Sequence, residues 1–334
     1  MSVLLVSHED CLEHLTAPGH PERPGRLTAL ASGLSASGLG EALIPLEPEL
    51  ASPAAILAVH DPTVVDRIDA LAAVGGGSLD PDTSMSEGSW RASMLAAGAG
   101  LTAVDALRSG SAGAAFCAVR PPGHHATPAR SMGFCLINNI AVTATALADA
   151  GERVLIVDYD AHHGNGTQDV FYSDPRVLFV SYHQYPLYPG TGSLDEGGTG
   201  RGSGTTINLP LPAGATGDVY AAGWHEVVLP AVTRFGPTWL LISAGFDAHR
   251  DDPLTDMGLS SGDFGALTAE LVGVVPAGRT IAFLEGGYDF DALAASAAAC
   301  LAALAGVEYL PEAPTAGGPG SEVVAAARVA RPSS

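Results

Sequence analysis

The 334-residue chain carries 36 acidic and 15 basic side chains, a formal net charge of -21. Such a surface repels phosphate backbones, which excludes nucleic acid as a general partner, whereas a cationic substrate would be attracted. With 47% apolar and only 15% charged residues, the chain has material for a large core and is not a disordered polymer. Its length allows two domains of about 150 residues or one large α/β domain. Cys11, Cys117, Cys135 and Cys300 are widely spaced with no CxxC pair, against a disulfide scaffold or a thiolate zinc site. The first ten residues lack a secretory signal. The weakly polar stretch Leu293–Val307 is shorter than the roughly 20 residues of a membrane span. A soluble, cytoplasmic protein with no membrane partner is expected; nothing in the pattern specifies an oligomer.

In chain order, short continuous apolar runs occur at Val3–Val6, Ala114–Val119, Val154–Val157, Val177–Val180, Trp239–Ile242 and Thr280–Leu284, with Thr205–Leu209 as a further candidate. Continuous rather than alternating runs predict parallel strands covered on both faces. Between them, Trp90–Leu107, Asn139–Ala150, Val219–Arg234 and Phe264–Val275 have helical length and composition. The alternation predicts an α/β fold, a single open, mostly parallel sheet with helices on both faces. No linker divides the chain, so residues 1–310 are read as one catalytic domain. The Ala/Gly/Pro-rich tail 311–334 is expected to pack loosely.

The chemistry concentrates where these strands end. Ala114–Val119 runs into Arg120-Pro-Pro-Gly123-His124-His125, a stiff turn suited to positioned imidazoles. Val154–Val157 runs into Asp158-Tyr-Asp160-Ala-His162-His163-Gly164-Asn165. Asp160 and His162 leave the same side of an extended chain and can meet one ion, with Asp158 one step deeper. A polar strand end capping the next helix would explain one aspartate, not four ionisable side chains in six residues. A catalytic zinc site generally needs a third protein ligand. The strand Trp239–Ile242 offers two by spacing, Asp247 and His249. Thr280–Leu284 ends in Glu285-Gly-Gly-Tyr288, by itself no more than a turn.

Pro121-Pro-Gly-His-His125, Gly133-Phe-Cys135, Asp158-x-Asp160-x-His162-His-Gly-Asn165-Gly, Tyr188-Pro-Gly-Thr-Gly192, Ala244-Gly-Phe-Asp247 and Glu285-Gly-Gly-Tyr288 occur together and in order. In this the chain resembles the zinc-dependent histone deacetylase superfamily, which includes class II-like bacterial deacetylases, acetylpolyamine amidohydrolases and acetoin-utilisation proteins. The resemblance runs from His20-Pro-Glu-Arg-Pro-Gly-Arg26 to Tyr288. It implies an arginase/deacetylase-like fold and a deacetylase whose Zn²⁺ is bound by Asp160, His162 and Asp247. Fe²⁺ suits such a ligand set as well. It further implies His124 and His125 as the tandem pair, His125 being the general base and then acid, with Asp158 and Asn165 as their partners. Tyr288 would stabilise the oxyanion, and Gly133, Phe134 and Tyr188 would wall a narrow tunnel. Asp158, Ser181 and the carbonyls of Asp160, His162 and Tyr182 match a structural K⁺ site. A second monovalent site near Phe171, Asp174 and Val177 is a weaker match.

Within that superfamily the substrate is either acylated lysine in a protein or peptide, or an acetylated polyamine. The eukaryotic polyamine enzyme has a glutamate where Asp252-Pro253 is followed here by Leu254, and the segment His60–Asp82 is too short for the dimerising loop of the bacterial ones. Both departures favour acyl-lysine. A binuclear manganese ureohydrolase would need a pattern such as Asp-x-Asp-x-x-Asp, and Ala161-His162-His163 does not supply it. A non-catalytic acyl-ligand binding protein would be expected to lose a ligand, the histidine pair or the tyrosine, and all are present. Glu9, Asp10 and His20–Arg26 are candidates for a substrate-selecting rim.

Overall fold

The computed structural model describes residues 1–330. Its strands are β1 (Val3–Val6), β2 (Leu43–Leu46), β3 (Gly76–Ser78), β4 (Ser84–Ser86), β5 (Ala114–Cys117), β6 (Val154–Asp158), β7 (Val177–Gln184), β8 (Thr206–Leu211), β9 (Trp239–Ala244) and β10 (Thr280–Leu284). Eight of them form one sheet in the order β2-β1-β5-β10-β9-β6-β7-β8, and β3 and β4 make a separate antiparallel hairpin. Every ladder of the large sheet is parallel.

The continuous apolar runs are explained by this burial. Every residue of β5, β6, β7, β9 and β10 is buried, and alternate residues enter opposite cores. Leu155 and Val157 of β6 join Leu240, Ile242, Phe264 and Leu301 on one face, beneath helices Gly25–Ser37, Ser261–Val272 and Phe290–Ala305. Val154 and Ile156 join Leu241, Phe283, Ile68 and Ile140 on the other, beneath Pro62–Ala73, Ser89–Arg108 and Asn139–Asp149. The fold is thus the expected single-domain α/β sheet with helices around it.

Three differences have physical reasons. Strand β2, Leu-Ile-Pro-Leu, is a half-exposed edge, where a proline lacking an N–H is tolerated but interrupts the short apolar run. The expected helix over 219–234 is interrupted, Gly217–Gly223 and Leu229–Phe235 flanking a π turn at Trp224–Val228; Pro230 cannot donate to the preceding turn. The tail, as far as it is described, is not loose. Thr315 donates through N (3.0 Å) and Oγ1 (2.7 Å) to the Asp263 carboxylate, and Gly317 N to Asp218 Oδ2 (2.9 Å). Helix Ser321–Ala330 then buries Val324 and Ala327 in the core cluster that includes Leu209 and Leu211 of β8. Composition registers alanine and glycine, not a few well-placed hydrogen bonds. No helix among the described residues is long and apolar enough to cross a membrane.

Candidate active site

The four central strands β5, β10, β9 and β6 lie side by side, so the polar segments following them emerge together outside their carboxyl ends, where open α/β sheets bind ligands. Asp160, His162 and Asp247 bring their donor atoms within 4.8 Å of one another. His162 Nδ1 lies 3.2 Å from Asp160 Oδ1 and 2.9 Å from Asp247 Oδ2. Backbone N–H groups aim both carboxylates: Gly286 N donates to Asp160 Oδ2 (2.7 Å) and Ala161 N to Asp247 Oδ1 (2.7 Å). Any Cβ at Gly286 would meet Asp247 Oδ2 at 2.2 Å and Asp160 Oδ2 at 2.6 Å, so glycine is what lets that strand end approach.

These three residues fit a cation. Burial alone would keep His162 neutral, yet the carboxylates of Asp247 and Asp160 raise its pKa to about 10. Two fully buried aspartates call for positive charge where the three donors meet, which a bound cation would supply. His249, the other candidate by spacing, points away to Glu312 Oε2 at 2.8 Å. His163 is likewise elsewhere, between Thr191 Oγ1 (2.8 Å) and Gln168 Oε1 (3.0 Å).

The tandem histidines are held from both ends. Glu285 Oε2 accepts Gly123 N (2.7 Å) and His124 N (3.1 Å). His124 Nδ1 lies 3.0 Å from Asp158 Oδ2, and His125 Nδ1 lies 2.7 Å from Asn165 Oδ1. The two environments push the pair apart. Burial opposes charge on His124, but the Asp160 and Asp158 carboxylates outweigh it and hold its pKa well above the usual range. Burial and the charges of His124 and His162 hold His125 well below that range. The two rings are thus driven towards opposite protonation states, the separation that acid–base sites exploit. In sequence the Glu285-Gly-Gly-Tyr288 motif points to Tyr288 and assigns Glu285 no role; a lone carboxylate gives no sign that it reaches back to another strand's loop.

Gly133, Phe134, Tyr188, Leu254 and Tyr288 line one pocket of about 240 Å³ together with His125 and His162; Leu187 and Asp82 complete it. Phe134 sits on a two-residue turn closed by Met132 N to Cys135 O (3.1 Å) and Cys135 N to Met132 O (3.0 Å). Both central residues have positive φ, 57° at Gly133 and 66° at Phe134, the backbone of a type I′ turn. A side chain at 133 would also strike the His125 ring at 2.5 Å. Tyr288 faces the Phe134 ring edge-on at 5.9 Å, and Tyr188 faces His125 at 5.2 Å.

The expected rim is only partly a rim. His20 meets Phe134 edge-on at 4.6 Å, but Glu22 and Arg26 are fully buried. Glu22 pairs with Arg120 and Arg26, while Arg26 donates to the carbonyls of Gly287 (Nε, 2.7 Å) and Glu285. They brace the loop presenting Tyr288 rather than touching the mouth; the alternation of charge and proline in His20–Arg26 resembles a surface loop, and burial by a distant partner leaves no local mark. Of the residues expected around potassium, Asp158 and Ser181 are register partners on β6 and β7. Ser181 Oγ lies 2.9 Å from His183 Nδ1, and the Tyr182 ring stacks on Tyr220 in the core, so only backbone of Tyr182 faces that strand end.

Comparison with known proteins agrees with this geometry. The histone deacetylase domain profile matches residues 20–304. A probable deacetylase of Archaeoglobus fulgidus is 40% identical over 324 residues, 92% of this chain and 90% of that one. The histone deacetylase-like amidohydrolase of Pseudomonas aeruginosa is 40% identical over 278 residues, 81% of this chain and 73% of that one. The crystal structure of the HDA15 HD domain superposes with a TM-score of 0.90 at 36% identity, covering 98% of this chain and 93% of that one.

Proposed function

The chain belongs to the histone deacetylase family, and on that premise we propose that it is a zinc-dependent hydrolase removing acetyl or other acyl groups from lysine side chains of proteins or peptides. The observation carrying this reading is that His162, one of the clustered Asp160–His162–Asp247 donors, lines the same pocket as His125 and Tyr288. Zn²⁺, or Fe²⁺, held by those three residues would polarise the amide carbonyl and acidify a water. His125, kept neutral, accepts the water's proton and returns it to the leaving amine. Tyr288 donates to the carbonyl oxygen as charge develops there. Phe134, Gly133 and Tyr188 enclose the alkyl chain. A structural K⁺ at Asp158, Ser181 and the Tyr182 carbonyl belongs to the same proposal; the register of β6 and β7 supports it.

Asn165 has a measurable consequence. As a neutral partner it does not hold a proton on His125, so the acidic limb of the pH–rate profile lies low. Asn165→Asp places a carboxylate against the ring, favours imidazolium and is expected to move that limb upward by about one pH unit or more. A profile of kcat/KM against pH checks this, and an unmoved limb contradicts it.

The acyl-lysine reading rests on Leu254, which gives the pocket an apolar wall where a cationic amine would call for charge. The acetylpolyamine reading, with the same mechanism, is favoured by one feature, the Asp82 carboxylate in the lining. Leu254→Glu is expected to raise kcat/KM for N-acetylated spermidine relative to an acetyl-lysine peptide by about two- to fivefold, the worth of one added ion pair in a partly exposed site. Side-by-side kinetics would show it; an unchanged ratio would remove Leu254 as a discriminator.

A further inference from the structure

The segment from Asp247 to Thr255 joins the donor cluster to the pocket wall. Asp247 stands at its start and Leu254 near its end. Between them Asp252 accepts Leu254 N at Oδ1 (2.9 Å) and Tyr288 N at Oδ2 (2.7 Å). The Thr255 hydroxyl closes the segment on the Asp247 carbonyl. One loop therefore sets the position of a candidate metal ligand, of Tyr288 and of a wall residue, without a helix or strand of its own.

Its outer side is held by the C-terminal tail. The Glu312 carboxylate receives four hydrogen bonds: from His249 Nε2 (2.8 Å), from Arg250 Nη2, and from Ser261 N (2.9 Å) and Oγ (2.8 Å). His249 is 2% exposed and its Nδ1 accepts Asp251 N (3.2 Å). Its other nitrogen must then carry the proton given to Glu312, since a neutral imidazole has one donor and one acceptor. Glu312 thus fastens the loop to the first turn of helix Ser261–Val272 through a buried ring.

We propose that Glu312 is a positioning residue for the Asp247–Leu254 loop, so that a tail residue beyond the last strand and the last long helix is a working part of the site. The inference rests on the reading of Asp160, His162 and Asp247 as the zinc ligands. Supporting groups behind metal ligands are worth roughly 10–100-fold in metal affinity or activity, and Glu312 acts one step further out, through His249 and the loop. In the full-length chain, Glu312→Ala is therefore expected to weaken zinc about tenfold in competition with a chromophoric chelator, and to lower kcat more than it raises KM on an acetyl-lysine peptide. Glu312→Gln keeps an amide oxygen for His249 and Ser261 and should recover most of the zinc affinity. Arg250→Ala, which breaks only an exposed pair, should stay within about twofold of the wild type. Zinc affinity and kcat unchanged in both Glu312 variants, with only a lowered Tm, would overturn the proposal as a purely structural contact. The zinc competition decides it without any substrate, so a chain that binds zinc but cleaves nothing would refute the proposed activity and leave this inference standing.

Discussion

Tyr288→Phe is expected to lower kcat about 10²–10³-fold while leaving KM within a few-fold, the signature of a donor that acts where charge develops in the transition state. The side chain is fixed for that task. Its backbone N–H is held by Asp252, the Arg26 guanidinium lies 4.9 Å from its ring centroid, and Phe134 packs against its edge. Burial holds its pKa well above the ordinary phenol value despite the neighbouring Arg26 charge, which favours the protonated hydroxyl that a donor needs. Phenylalanine keeps the ring, its packing and the brace, and removes only the donor. Steady-state kinetics on an acetyl-lysine peptide would measure the effect. A loss confined to KM would place Tyr288 in substrate binding instead.

Asp247→Ala is expected to be worse, abolishing measurable turnover together with zinc binding. It removes one of three donors, a larger loss than the 10–100-fold associated with groups that merely support a ligand. It also strips an acceptor from Ala161 N and a partner from His162. Stripping the wild-type protein with a chelator should silence it equally, and stoichiometric Zn²⁺ should restore it, whereas Asp247→Ala should not be restored. Equilibrium zinc titration distinguishes these cases. Turnover that survives both treatments would contradict the assignment of this cluster as a metal centre.

The fold was legible because its central strands are buried on both faces and show it as unbroken apolar runs. What escaped was edge or context: β2 with its proline, the π turn before Pro230, and the docking of the tail. At the site, Asp158, Asp160, His162 and the His124–His125 pair are legible as strand-end clusters, since few structural needs put so many titratable groups in so short a span. Spacing admits both Asp247 and His249; the family resemblance selects Asp247, and what no local pattern gives is the packing that sends His249 to Glu312. The same holds for Glu285, Glu22 and Arg26, each of which acts through a partner far away in sequence. A buried ion pair or a carboxylate bracing a distant loop depends on which strands become neighbours, and no local pattern encodes that.

The central claim is tested most directly by kcat/KM of the Zn²⁺-loaded protein on acetyl-lysine peptides and on N-acetylated putrescine and spermidine, measured side by side with Tyr288→Phe as control. The expected result is hydrolysis with a clear preference for the peptides, lost in the control. A clear preference for the polyamines would contradict the substrate assignment while keeping the chemistry, and cleavage of neither would contradict the deacetylase reading itself.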